Sequence, residues 1–189
     1  MSAKNITLHH LKSVLDYNPE TGRFIHKEVD GLHPNRNIRY AGKFADTALD
    51  KDGYRKVFIS GYNVSVRAHR LAWFYHYGAH PAGNIDHING RVDDNRICNL
   101  REASLVENRW NSRHQDRNKL SQRGISRNGK FGFRVRVNAN GEHHYIGTFK
   151  TIDEAILARN EAHLKFYGDY ARLPEELPPE TPLNAIDDE

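Results

Sequence analysis

Residues 84–109, NIDHINGRVDDNRICNLREASLVENR, set an acid beside a histidine at Asp86 and His87 and follow them with Asn99 and Asn108. A histidine is the natural general base near neutral pH. A carboxylate with an amide oxygen suits a hard cation such as Mg2+, with water and phosphate oxygens completing its shell. Phosphodiester hydrolysis needs a base for water, a cation against the charge on phosphorus, and help for the departing 3′ oxygen. Asp86, His87 and Asn108 supply such a set, and Asn99 is placed to tie down the intervening loop. The bland alternative stays open on composition alone, because Asp86, Asn89, Asp93, Asp94 and Asn95 are all turn formers. Order and spacing favour the chemical reading: Asp-His, eleven residues, Asn99, eight residues, Asn108. Asn89 and Asn95 read as ordinary turn residues within it.

Elements must hold these side chains. NIDHI reads as a strand, NGRVDDNR as a loop and ICNLRE as a second strand. Ser104 followed by Glu107 is a capping-box pattern, so a helix is expected from about residue 105, with Asn108 in its first turn. Upstream, Thr7 can cap a short helix on which Leu8, Leu11, Val14 and Leu15 share a face. RFIHKE, YRKVFIS and NVSVR read as strands, and AHRLAWFYHYG (68–78) as an aromatic-rich helix closed by Gly78. Downstream, GISRN, FGFRVRVN and HHYIGTF read as three strands with NANGE as a hairpin turn. A second capping box, Thr151 with Glu154, opens a helix running to Tyr167, with Ala155, Ile156, Arg159, Ala162 and Phe166 on one face.

The stretch AHRLAW…IDHINGRVDDNRICNLREASLVENR resembles the HNH endonuclease motif, in the subgroup common among phage and intron homing endonucleases. The resemblance covers residues 66–112 and implies a ββα-metal (His-Me finger) unit. It assigns His87 as general base, Asp86 as first metal ligand, Asn99 as loop brace and Asn108 as second ligand, an H-N-N version of the motif. It implies Mg2+, with Mn2+ as a substitute, and no structural zinc. His69 and Arg70 match the family's HRL element, and read either as phosphate contacts or as helix packing.

The stretch QRGISRNGKFGFRVRVNANGEHHYIGTFKTIDEAILARNEAHLKFYGDYARL resembles the plant ethylene-response-factor (APETALA-type) DNA-binding domain, which lays a three-stranded sheet in the major groove. The resemblance implies that Arg123, Arg127, Lys130, Phe131, Arg134, Arg136, His143 and Tyr145 face DNA. The plant pattern has Trp where Phe131 and Tyr145 stand and an acid where Arg134 stands, so base preference does not transfer. Independently, Arg134 and Arg136 alternate with Phe133, Val135 and Val137, giving one cationic strand face and one apolar one. Arg109, Arg113, Arg117 and Lys119 form a basic run suited to a phosphate backbone.

The chain carries +4, and the six acids of residues 174–189, which contain no Lys or Arg, leave residues 1–173 at +10. A body that basic favours a polyanionic partner. A single Cys98 excludes a disulfide framework and any Cys-based zinc knuckle within these residues. The expected fold class is α+β: a ββα-metal nuclease domain followed by a small three-stranded antiparallel sheet plus helix. The expected divisions are an N-terminal helix and strands (1–65), the nuclease core (66–112), a basic linker (113–122), the DNA-binding domain (123–173) and an acidic, Pro-rich disordered tail (174–189). The expected partner is double-stranded DNA, cut by a monomer without a small-molecule cofactor. No signal peptide or membrane segment is expected, and the location expected is the cytoplasm of a bacterial host for a phage-encoded protein. A DNA-binding regulator with a catalytically silent HNH unit is the alternative.

Overall fold

The computed structural model describes residues 6–30, 34–59, 62–111 and 122–173. The fold mixes helices with small antiparallel sheets and divides into two compact units, residues 1–113 and 114–189. None of the described helices is long and apolar enough to cross a membrane.

In the first unit, helix α1 (Leu8–Val14) starts where the Thr7 side chain accepts the His10 N–H, and it buries Leu11 and Val14. Strands β1 (Leu15–Asn18) and β2 (Arg23–His26) form a hairpin, with the Asn18 side chain accepting the N–H groups of Glu20 and Thr21 in the turn. Helix α2 (Pro34–Tyr40), which the sequence pattern did not announce, is short, and its Asn37 side chain bonds the Val29 backbone. Strands β3 (Ala48–Leu49), β4 (Arg55–Ile59) and β5 (Val64–Arg67) make a three-stranded sheet leading into helix α3 (Ala68–Tyr77). Gly78 ends α3 in the left-handed conformation at φ 74°. Strand β6 (Asn84–His87) then pairs antiparallel with β7 (Leu100–Ala103), and helix α4 (Leu105–Asn111) follows. The second strand is shorter than ICNLRE suggested, because Ile97–Asn99 coil into one 3₁₀ turn.

One core joins these elements. Leu11, Val14, Phe24, Val57, Ile59, Leu71, Ala72, Ile85 and Leu100 pack in a single buried cluster. The segment before residue 66 therefore shares its interior with the Asp-His segment, and burial of each large side chain contributes about 1.5–3 kcal/mol. The β1–β2 hairpin also grips the loop between β6 and β7. The Tyr17 hydroxyl donates to the Asn95 carbonyl at 2.8 Å, and the Ile97 N–H donates to the Pro19 carbonyl at 3.0 Å. Gly22, at φ 71°, approaches so closely that a Cβ there would collide with the backbone of Asn95 and Arg96.

In the second unit, β8 (Ile125–Arg127), β9 (Phe133–Ala139) and β10 (Glu142–Phe149) form an antiparallel sheet in the order β10-β9-β8. Asn140 and Gly141 both take positive φ, 53° and 83°, the geometry of a tight hairpin turn. Helix α5 (Ile152–Tyr167) opens on the Thr151–Glu154 capping box and packs Ala155 and Ile156 against Ile125 and Val135.

Candidate functional site

The β6–β7 register sets Asp86 directly opposite Arg101 and His87 opposite Leu100. Residues directly opposed across a strand pair put their side chains on the same face. The Asp86 carboxylate is accordingly clasped by Arg101, whose Nε and Nη2 lie 2.9 and 2.8 Å from Oδ2. Asn111, at the end of α4, brings its Nδ2 to 3.0 Å from Oδ1 and 2.9 Å from Oδ2. The same nitrogen lies 2.7 Å from the His87 carbonyl and 3.3 Å from that of Ile88.

His87 is buried, and its Nε2 lies 3.1 Å from the Asn95 Oδ1. An amide oxygen only accepts, so with the Asn95 amide in this orientation the ring hydrogen lies on Nε2 and the lone pair on Nδ1. Burial pushes the His87 pKa below its usual value. The Asn95 hydrogen bond and the nearby Asp86, Asp94 and Asp93 charges pull against it. The lowered pKa favours the neutral ring, the form able to accept a proton.

The loop between the strands is closed by side chains. Asn99 accepts the Asn89 N–H at 2.9 Å and donates to the Asp94 carbonyl at 2.8 Å. Asn89 Nδ2 donates to Asp94 Oδ2, and Arg96 pairs with the same carboxylate at 2.7 Å. Arg96, with the Asn89 bond behind it, holds the Asp94 carboxyl down to about 2. Asn95 and Asn89 are therefore not ordinary turn residues. Asn95 is 1% exposed and fixes the His87 tautomer, while Asn89 ties the loop to Asp94.

His69 stands in the first turn of α3 and is 6% exposed. Its ring meets that of His87 edge-on, and Tyr54 packs against both. Burial first, then the charges of His87, Arg67 and Arg70, push the His69 pKa down to about 3. A buried neutral ring offers no charge to a phosphate, so of its two readings the packing one fits the geometry. Arg70 is half-buried and donates to the Gly83 carbonyl.

Helix α4 begins with Ser104 and Glu107 capping each other, Glu107 N–H to Ser104 Oγ at 3.2 Å and Ser104 N–H to Glu107 Oε2 at 2.7 Å. Asn108 is half-buried in that first turn, its N–H on the Ser104 carbonyl. Asn111 is the helix residue whose side chain contacts Asp86. It was missed in the sequence, although Asn108 and Asn111 stand three apart, the spacing that shares a helix face. Arg101 was missed as well, and only the strand register reveals its partner.

The oxygens gathered around Asp86 are of the kind a hard divalent cation takes, with Arg101 and Asn111 donors now on the carboxylate. Four oxygens, two from Asp86 and the carbonyls of His87 and Ile88, converge on one amide nitrogen, which has only two hydrogens to offer them. Oxygen donors with a single carboxylate suit Mg2+ or Mn2+ better than zinc. Among the described residues, no group of three or more His, Cys, Asp or Glu is placed to hold a metal.

Residues 66–111 match the HNH endonuclease family model. The HNH segment so defined runs from Val66 at the end of β5 to Asn111, so Asp86, His87, Asn95, Asn99, Arg101, His69 and Asn111 all lie within it. The chain is also similar to two plant proteins from Arabidopsis thaliana. It is 28% identical over 144 residues to the AP2-like ethylene-responsive transcription factor ANT, covering 70% of this chain and 26% of that protein. It is 27% identical over 141 residues to the AP2-like ethylene-responsive transcription factor PLT2, covering 69% and 25%. The chain thus spans about a quarter of the length of these relatives. No solved structure matches it.

In the second unit, Val135, Val137 and Ala139 are buried, while Arg134, Arg136 and Asn138 alternate with them on the other sheet face. Cross-strand pairing adds Tyr145 opposite Arg136, His143 opposite Asn138 and Thr148 opposite Arg134. Arg136 and His143 are exposed, Tyr145 is 62% exposed and Phe131 80%. Arg134 is half-buried and bonds the Asn128 side chain. Arg127 and Lys130 are exposed, Arg127 lying over the Phe133 ring, and Arg123 lies against Tyr167. Arg109 is exposed on α4, while Arg113, Arg117 and Lys119 lie outside the described residues.

Proposed function

We propose that the protein is a divalent-metal-dependent DNA endonuclease of the HNH type. The observation that carries this reading is His87, buried and held as the Nε2-H tautomer by Asn95 beside the Asp86 carboxylate, within the segment that matches the HNH family. His87 Nδ1 takes a proton from water as that water attacks the phosphorus. Asn95 keeps the ring in the required tautomer, and His69 and Tyr54 keep it in place. Asn99 and Asn89 hold the loop that carries Asn95. A cation held by Asp86 and Asn108 would offset charge on the phosphate and the leaving 3′ oxygen. Asn111, within hydrogen-bond reach of Asp86, orients that carboxylate. The sheet face bearing Arg134, Arg136, His143 and Tyr145 lies on double-stranded DNA, and the basic run at Arg109, Arg113, Arg117 and Lys119 follows its backbone. The resemblance noted in the sequence extends this to a phage-encoded homing enzyme that acts as a monomer in a bacterial host. Supercoiled plasmid incubated with Mg2+ tests the reaction. The parent nicks or linearises it and His87→Ala does not, whereas equal cleavage by both would remove His87 from the mechanism.

A regulator that binds DNA without cutting it is the second reading. It is favoured by the similarity to the two plant proteins, both transcription factors by name. Tight duplex binding in EDTA, with no cleavage of bound DNA under Mg2+ or Mn2+, would select it.

A further inference from the structure

We infer that Arg101 is a substrate-operated latch, which occupies the Asp86 carboxylate until a DNA phosphate draws it away and opens that carboxylate to the cation. The inference rests on the nuclease reading and adds a control step to it. Asp86 and Arg101 are opposed in the strand register, so the pair forms wherever the β6–β7 hairpin forms. Two guanidinium nitrogens lie against one oxygen of Asp86, Oδ2, at 2.9 and 2.8 Å, with side-chain exposures of 17% for Arg101 and 5% for Asp86. A divalent cation on that oxygen would share its lone pairs with two N–H groups and sit beside a fixed positive charge. The two occupants compete for that oxygen.

Asn111 does not raise the same barrier. Its amide is neutral and, turned about, presents an oxygen instead of a nitrogen. Arg101 can only donate and cannot lose its proton. Leaving Asp86 costs Arg101 a charge-assisted pair in a largely buried site, a loss that another anion offsets. A phosphodiester offers two oxygens that match the guanidinium fork. Phosphate and cation therefore each free the partner that the other needs. Their binding is positively coupled, and the coupling is reciprocal. The DNA-free protein holds its cation weakly, and the charged site is assembled only with substrate in place.

The test uses the full chain carrying His87→Ala, so that DNA survives, and reads bound Mn2+ by the electron paramagnetic resonance signal of the free ion. Titrations are run with and without a random-sequence duplex, and Mn2+ bound by duplex alone is subtracted. The duplex is expected to tighten Mn2+ binding roughly tenfold, the scale of a charge-assisted hydrogen-bonded pair. Adding Arg101→Gln should tighten Mn2+ binding roughly tenfold without DNA and remove most of the DNA effect. If Arg101→Gln does not fold, Arg101→Lys keeps the charge without the fork and should show a smaller DNA effect than the parent. The latch is overturned if DNA tightens Mn2+ binding equally with and without Arg101. It is equally overturned if removing Arg101 leaves DNA-free binding unchanged or weaker, or if no Mn2+ binding is seen at all. Plasmid cleavage by the unmutated protein, read separately, keeps the nuclease reading alive through any of these outcomes.

Discussion

The rings of His69 and His87 meet edge-on, with 5.1 Å between centroids and 78° between planes. Tyr54 closes the third side, 5.0 Å from His69 and 5.9 Å from His87. Three rings from helix α3, strand β6 and the turn before β4 thus pack together around the His87 imidazole. His69→Ala opens a void beside that ring, and small displacements of a catalytic group can cost on the order of 100-fold in rate. His69→Phe, which restores a flat ring, should recover most of the loss. Initial rates of plasmid nicking distinguish the two. Equal rates for His69→Ala and the parent would leave His69 with no part in positioning His87.

With His87 as the proposed base, its environment sets the expected pH dependence of cleavage. Burial lowers its pKa, and the Asn95 contact and neighbouring acids oppose that shift. A base works unprotonated, so the rate rises with pH through the His87 pKa and should level off below about 6.5, the ordinary histidine value. Asn95→Asp sets a carboxylate against Nε2 and favours the imidazolium. The acid limb should then move upward by about 1–3 pH units. Rates at fixed Mg2+ across the acid range check this, and a limb that stays put would remove Asn95 as the partner that tunes the base.

Asn111 and Asn108 separate by what their loss costs. Asn111→Ala leaves Asp86 and two backbone carbonyls short of a buried donor, which should cost about 1–3 kcal/mol of stability. Asn108→Ala, at a half-buried position, should cost within about 0.5 kcal/mol while raising the Mg2+ concentration needed for cleavage. Denaturant midpoints and Mg2+ titrations of nicking read the two effects. A Mg2+ requirement unchanged by Asn108→Ala would transfer the ligand role away from it.

What the sequence disclosed about this site was local. Asp86 and His87 are adjacent, and the Ser104–Glu107 cap announces its helix within four residues. The alternation that separates Val135 and Val137 from Arg134 and Arg136 is a strand rule that needs no tertiary knowledge. The omissions all depend on long-range contacts. Asn95 has the composition of a turn residue, and it is Tyr17 on its carbonyl and the close approach of Gly22 that bury it. Arg101 acquires its partner from strand register, and a slip of one residue would have sent it to the opposite face. His69 lies eighteen residues before His87, so nothing short of the packed core places their rings together. Helix α2 was missed for another reason: PNRNIRY has no apolar periodicity to announce it.

The second unit carries its own pH sensitivity. His163 is buried on α5, and burial, with the Arg159 and Arg123 charges, pushes its pKa down to about 3. Above the unfolded value near 6.5 both states are neutral, and this group adds no pH dependence. Below it, the unfolded chain takes a proton that the folded unit refuses. Stability therefore falls as pH drops from about 6.5 toward 3, by at most about 1.4 kcal/mol per pH unit. His69 has the same sign in the first unit. Urea unfolding of the full chain at neutral and mildly acid pH should show a smaller acid loss for His163→Phe than for the parent. An identical loss would mean that other groups carry the effect.

Arg136 and Tyr145 face each other across β9 and β10 on the exposed side of the sheet. If that face lies on duplex DNA, Arg136 contributes one cation to counterion release or one hydrogen-bonded fork to a base edge, and salt separates the two. Where Arg136 holds a phosphate, Arg136→Ala reduces the slope of log affinity against log salt by about 0.9 and weakens all sequences alike. Where it reads a base, the slope stays nearly unchanged and only preferred sequences bind more weakly, by about 1–3 kcal/mol. Tyr145→Ala removes an exposed ring without altering charge, so its effect on affinity should be independent of salt. Fluorescence anisotropy with labelled duplexes at several salt concentrations reads these slopes. Unchanged affinity and slope in both variants would move the DNA surface off this sheet.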